Sequence, residues 1–210
     1  MFALVTDGSI TKYFSGNKGV TIGDIQYPKS IFTLWSKSQR EAIGIYEIEM
    51  DNSKRKDEQW YINTNVTYAF GSGKVTGSYG DSTAKKHADT KWTQKEIDDG
   101  DAPDGADTNT VAYEGLKTIL IKNVKAQANT LLSQTDWYVT RKSEKSTAIP
   151  SNITTWRNGI RSKQAAMETS ITNANDTPAL ETLYTYVNTA DEGDPKVMER
   201  PLGEFPVLGS

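Results

Sequence analysis

Residues 116–137, LKTILIKNVKAQANTLLSQTDW, decide the fold, because their apolar residues recur at helical spacing and the pattern then ends abruptly. Side chains three or four residues apart lie on the same face of an α-helix. The period ends at Thr135 or Asp136, so the spacing predicts one amphipathic helix that ends there. The apolar face of this helix comprises Leu116, Leu120, Val124, Ala128 and Leu131.

A second periodic segment follows and offers the apolar face that the first helix needs. It begins after the sequence STAIP, where Ser151 is expected to cap the helix, and it continues to Ala174. The two segments predict an antiparallel helical hairpin. A short third helix is expected in DTPALETLYTYV, with Thr177 as its cap and Pro178 in its first turn. The apolar positions of the second helix are Ile153, Trp156, Ile160, Met167 and Ile171.

The first part of the chain has the pattern of short strands. Residues 2–14, FALVTDGSITKYF, hold two apolar runs around Asp-Gly, which is a strong hairpin signal. Ser36 and Gln39 form a capping box for a short helix that ends before Gly44, and the strand IYEIEM follows. Two further strands are expected on either side of the GSG at residues 71–73. These segments predict a small antiparallel sheet.

The order of these patterns predicts an α+β protein with a small antiparallel N-terminal sheet, a C-terminal helical hairpin and a short third helix. Residues 1–79 are expected to form a mostly-β domain, and residues 80–112 an acidic polar linker without a sustained period. A helical domain at 113–190 and an extended tail at 191–210, which holds three prolines, complete the organisation.

Composition restricts the chemistry that the chain can carry. There is no cysteine and only one histidine, so thiolate sites are excluded and a histidine-built metal site has a single candidate. The net charge of −3 gives no general attraction to nucleic acid. The segments GSGK and DDGDAPDGAD fit neither a phosphate-binding loop nor a calcium loop, and the first residues resemble neither a signal peptide nor a membrane anchor. We therefore expect neither enzyme activity, nor a cofactor or metal, nor binding to nucleic acid or membrane.

The tryptophans beside the helical hairpin are the largest apolar groups in this part of the chain. Burial of one tryptophan removes about 150–250 Å² from water, so Trp137 and Trp156 must each contact something substantial. Two interpretations remain open at this point. Either both rings pack across the hairpin, or part of the apolar stripe meets a partner chain.

A wider pattern surrounds these tryptophans. The sequence has the order Leu-Leu, two residues, Thr-Asp-Trp, a gap containing Pro150, and then Trp-Arg, two residues, Ile-Arg. This order resembles the C-terminal segment of the bacteriophage tail assembly chaperones, also called tail-fibre assembly proteins. The opening MFALV, the YPK at residues 27–29 and the Phe-Pro pair at 205–206 are also similar to that family. Ile160 stands where the family usually has leucine, and residues 164–195 are an insertion.

The resemblance implies a protein that binds a phage tail or tail-fibre component in the host cytoplasm during virion assembly. The alternative is a structural virion protein that is retained in the tail, the baseplate or the fibre attachment region. A homo-oligomer is compatible with both alternatives. The residues implied in partner binding are Asp136, Trp137, Trp156, Arg157, Ile160, Arg161 and Phe205.

Overall fold

The computed structural model describes residues 1–209, and the chain divides into two compact units at residues 83 and 84. The α+β class predicted from the sequence is confirmed, because strands dominate the first unit and helices the second. The elements of the first unit are β1 (Phe2–Thr6), β2 (Ser9–Phe14), β3 (Val20–Ile22), β4 (Ile25–Tyr27), α1 (Ile31–Leu34), α2 (Lys37–Glu41), β5 (Ile45–Asp51), β6 (Tyr61–Ile62), β7 (Thr67–Gly71) and β8 (Lys74–Ser78). Strand β9 (Thr83–Ala84) lies at the boundary.

Five strands of the first unit form one sheet in the order β2-β1-β5-β8-β7. Its pairs are antiparallel as expected, except that β5 and β8 run parallel, so the sheet is mixed. The parallel pair arises because the chain leaves β5, forms the edge strand β7, and turns back at Ser72 and Gly73 to place β8 in between. Both turn residues have positive φ, as a two-residue hairpin loop requires.

Each face of this sheet carries an apolar cluster. Because strand side chains alternate, Phe2 and Ile45 point to one face, where they pack with Ile31 and Phe32 of α1. The other face holds a cluster of Ala3, Ile48 and Val75, against which the half-buried rings of Tyr46, Tyr68 and Phe70 pack. Rings from the two edge strands, Tyr13 and Tyr68, lie 5.2 Å apart between centroids, so the sheet curls until its edges approach.

The capping box predicted for the short helix α2 is present. The Ser36 hydroxyl accepts a hydrogen bond from the Gln39 amide, and the Gln39 side chain accepts one from the Ser36 amide. Gly44 follows with a φ of +80°, and a Cβ there would lie 2.8 Å from the Val5 carbonyl oxygen. This position therefore requires glycine twice over, once for its backbone conformation and once for the space.

The second unit begins with small elements and continues with helices. Its elements are β10 (Thr90–Lys91), α3 (Gln94–Asp98), β11 (Val111–Tyr113), α4 (Leu116–Ser133), α5 (Asp136–Lys145), α6 (Ser151–Asn173), α7 (Thr177–Tyr184), β12 (Val187–Asn188) and β13 (Met198–Glu199). The segment 80–112, which the sequence suggested as a linker, contains β9, β10, α3 and the start of β11. Strands β10 and β11 pair with each other in antiparallel orientation. Asp98 is the last residue of α3, and the other aspartates of the segment 98–107 lie in the turns between α3 and β11.

The predicted helical hairpin consists of α4 and α6. Lys117 donates to the Thr172 carbonyl oxygen at one end, and Arg157 donates to the Leu132 carbonyl oxygen at the other, so the two helices are antiparallel. Helix α5 lies between them along the chain, where the sequence indicated a loop. The apolar positions predicted for the facing sides are largely correct, since the buried residues include Leu116, Leu120, Val124, Ala128, Ile153, Trp156, Ile160, Met167 and Ile171.

Two of the predicted helix caps are wrong, and the cap of α4 comes from a distant residue. Ser151 is the first helical residue of α6 and caps nothing, while Asp176, one residue before Thr177, caps α7 by accepting from the Ala179 amide. At the start of α4, the Asp89 carboxylate accepts hydrogen bonds from the Gly115 amide at 2.7 Å and from the Thr118 hydroxyl at 2.9 Å. The bond from the Gly115 amide, followed by that from the Thr118 hydroxyl, lowers the pKa of Asp89.

Candidate protein-binding site

Arg157 is the centre of a network that connects α6 to the end of α4 and the start of α5. Its side chain is buried, with 7% of its surface exposed. Its guanidinium donates to the Leu132 carbonyl oxygen at 2.8 Å, to the Thr135 hydroxyl at 2.7 Å and to the Asp136 carboxylate at 2.9 Å. One arginine therefore ties together three successive points of the turn between α4 and α5.

The charges in this network suit the helix ends that they touch. The last carbonyl groups of a helix lack intrahelical partners and carry partial negative charge, so a guanidinium beside the Leu132 carbonyl is favourable. Asp136 is the first residue of α5, where a carboxylate interacts well with the positive end of the helix. A buried cation needs partners on all sides to offset its lost hydration, and this turn supplies them.

Trp156 and Ile160 lie on the neighbouring positions of α6 and form a core rather than a free surface. They are buried with Ala128 of α4, and Leu131, Leu132 and Phe205 pack against this cluster. The Trp156 indole nitrogen donates to the Pro206 carbonyl oxygen at 2.8 Å. The residues after β13, which the sequence suggested as an extended tail, thus lie against α6 through Phe205 and Pro206.

Trp137 has a different environment, because 52% of its side chain is exposed. Its ring lies 3.8 Å, between centroids, from that of Tyr138, and the Arg141 guanidinium lies 4.7 Å and 5.1 Å from the two ring centroids. We refer to Trp137, Tyr138 and Arg141 as the α5 patch. Tryptophan, tyrosine and arginine are the residues most enriched at protein interfaces, so this surface is suited to a protein partner.

The structure separates the seven residues that the sequence suggested for partner binding. Asp136 and Arg157 pair with each other, and Trp156, Ile160 and Phe205 pack in the core cluster. Trp137 and Arg161 are exposed. Of the two interpretations of the tryptophans, packing across the hairpin holds for Trp156, while Trp137 lies at the surface.

Several contributors were not anticipated. Thr135 is buried and receives a hydrogen bond from Arg157, and Tyr138 and Arg141 extend the exposed ring of Trp137. Residues 141–145 form the second half of α5. The carboxylate that pairs with Arg157 belongs to Asp136, the residue before Trp137.

Two features are absent from the part of the chain that the structure describes. Residues 1–209 contain no group of three or more histidine, aspartate or glutamate side chains placed to hold a metal ion. None of the helices in the same range is both long and apolar enough to cross a membrane. Comparisons with protein-family models, with curated proteins and with solved structures found no match to this chain.

Proposed function

We propose that this protein is a bacteriophage tail-associated protein that binds a tail or tail-fibre component during virion assembly in the host cytoplasm. The observation that carries the proposal is the Arg157 network. The sequence resemblance rests on two separate segments, residues 131–137 and 156–161, and Arg157 of the second segment bonds to Leu132, Thr135 and Asp136 of the first. These hydrogen bonds give a structural reason for the two segments to occur together in one sequence, and this supports the resemblance.

The α5 patch is the surface by which the protein would bind this client. The Arg157 network fixes Asp136, and Asp136 directly precedes Trp137 at the start of α5. The patch is therefore presented on a helix whose first residue is held in place. A pre-organised surface loses less conformational freedom on binding, which favours affinity.

Co-purification from infected cells tests the proposal. A tagged chain is expected to retain a tail or tail-fibre protein, and Trp137→Ala is expected to abolish this because an exposed aromatic anchor is lost. The matched control is Tyr113→Ala, which removes another exposed aromatic ring from the same unit. Retention of the client by the Trp137 variant, or its equal loss in the control, would contradict the role of the α5 patch.

Mass spectrometry of purified virions separates this function from the alternative. A protein that only assists assembly is expected to be absent from purified particles. A protein retained in the tail, the baseplate or the fibre attachment region is expected in them at a copy number that matches the symmetry of the particle. Retention of the chain in particles would replace the proposed function with the structural alternative.

A further inference from the structure

A groove on the first half of α6 is already occupied by an extended segment of the same chain. Phe205 packs on the cluster of Trp156, Ile160 and Ala128, and the Pro206 carbonyl oxygen accepts a hydrogen bond from the Trp156 indole. Aromatic-lined grooves bind proline-containing extended peptides in this way, because such peptides have a stiff backbone and leave their carbonyl oxygens available. The contact has the chemistry of peptide recognition.

Gly159 shows that the helix is adapted to the proline. A glycine inside a helix is destabilising by about 1 kcal/mol relative to alanine, so its presence calls for a reason. A Cβ at this position would lie 3.3 Å from Cγ of Pro206, which is closer than comfortable packing allows. The missing side chain lets the proline ring approach the helix between Trp156 and the next turn.

The segment fills only part of this groove. Beyond Pro206 a cavity of about 440 Å³ remains, lined by Ser151, Asn152 and Thr155 of α6 and by the last described residues of the segment. The Val207 side chain that follows the proline is 71% exposed. A different segment with a larger apolar side chain after its proline would fill the cavity and bury more surface.

We infer that this α6 groove is a binding site for an extended peptide of a partner protein, in which an aromatic–proline pair is followed by a large apolar residue. Residues 205–206 occupy the site until the partner displaces them. The groove lies on α6 and is distinct from the α5 patch, so its occupancy does not depend on the proposed function.

Binding of synthetic peptides to the full chain tests this inference. One fluorescent peptide has the sequence of residues 203–209, and the second carries Val207→Phe. Fluorescence anisotropy is expected to show saturable binding of both peptides, with the second binding about tenfold more tightly because its ring enters the cavity. In the chain itself, Phe205→Ala weakens the internal competitor and is expected to raise the apparent affinity of both peptides about tenfold.

A pair of variants on α6 provides the control. Thr155→Phe places a ring in the cavity and is expected to remove the preference for the Val207→Phe peptide. Ser162→Phe adds the same ring at another exposed position of the helix and is expected to leave the preference unchanged. The inference is overturned if neither peptide shows saturable binding to the Phe205→Ala chain. It is also overturned if the Thr155→Phe and Ser162→Phe chains show the same preference for the Val207→Phe peptide.

Discussion

Replacement of Arg157 by alanine is expected to destabilise the helical unit more than any other single charge deletion in the turn between α4 and α5. The substitution removes a buried guanidinium with three hydrogen bonds. Thr135, which is buried, and the Leu132 carbonyl group at the end of α4 both lose a charged donor. Water cannot easily replace that donor in a packed site, so the substitution destabilises the folded state relative to the unfolded state.

The magnitude follows from the three contacts taken separately. A hydrogen bond from a charged donor contributes about 1.5–3 kcal/mol when it is buried, and the lower value suits the bonds to Leu132 and Thr135. The contact with Asp136 contributes only about 0.5 kcal/mol, because 59% of that side chain is exposed to solvent. Arg157→Ala is therefore expected to lower the free energy of unfolding by about 3–4 kcal/mol, and Arg157→Lys by about half as much because lysine lacks the planar fork.

Urea denaturation followed by far-UV circular dichroism measures this loss, since the signal comes mainly from the helices. Arg161→Ala is the matched control, because Arg161 lies one turn further along α6 and is exposed. Its expected effect is below about 0.5 kcal/mol. If Arg157→Ala cost less than about 1 kcal/mol, or no more than the control, the network would not hold the turn and the reasoning would fail.

Three further predictions concern single side chains. Trp156→Ala is expected to lower the free energy of unfolding by about 3–5 kcal/mol in the same assay, because it empties a buried site and removes the donor to Pro206. Trp137→Ala is expected to cost about 1 kcal/mol or less, since half of the ring is already exposed, and a loss above about 3 kcal/mol would show that the ring is core. Asp89→Asn is expected to cost about 0.5–1 kcal/mol at neutral pH, because the amide keeps one acceptor oxygen for two donors and loses the negative charge beside the helix N-terminus. Because the pKa of Asp89 is lower in the folded chain than in the unfolded one, its charge stabilises the fold above the unfolded value and the benefit is lost as the pH falls through the folded value. The stability difference between Asp89→Asn and the unchanged chain should therefore narrow below about pH 4, and a constant difference would refute the pH dependence.

The elements predicted correctly from the sequence are those that local patterns determine. The stripe from Leu116 to Leu131 identified α4 because its period spans several turns, and the capping box of Ser36 and Gln39 identified the start of α2. Helix α5 was missed because Trp137, Tyr138 and Val139 are consecutive, so they show no helical period. A helix without buried residues leaves little trace in the sequence.

The parts of the site that were not predicted depend on contacts between distant residues. The pairing of Arg157 with Asp136 joins positions on different helices, so the spacing of residues within either helix does not reveal it. Asp89 likewise caps a helix that begins far along the chain. Neither contact has a signature in the local sequence, because the fold alone brings the two groups together.

The central position of β5 also bears on how the first unit folds. The hairpins β1–β2 and β7–β8 each join neighbouring residues through turns at Asp7–Gly8 and Ser72–Gly73, so both can form early and independently. The two hairpins become one sheet only through β5, which pairs with β1 on one side and with β8 on the other. Insertion of β5 is thus the step that makes the sheet cooperative, and changes within β5 should slow folding more than equally costly changes in either hairpin loop.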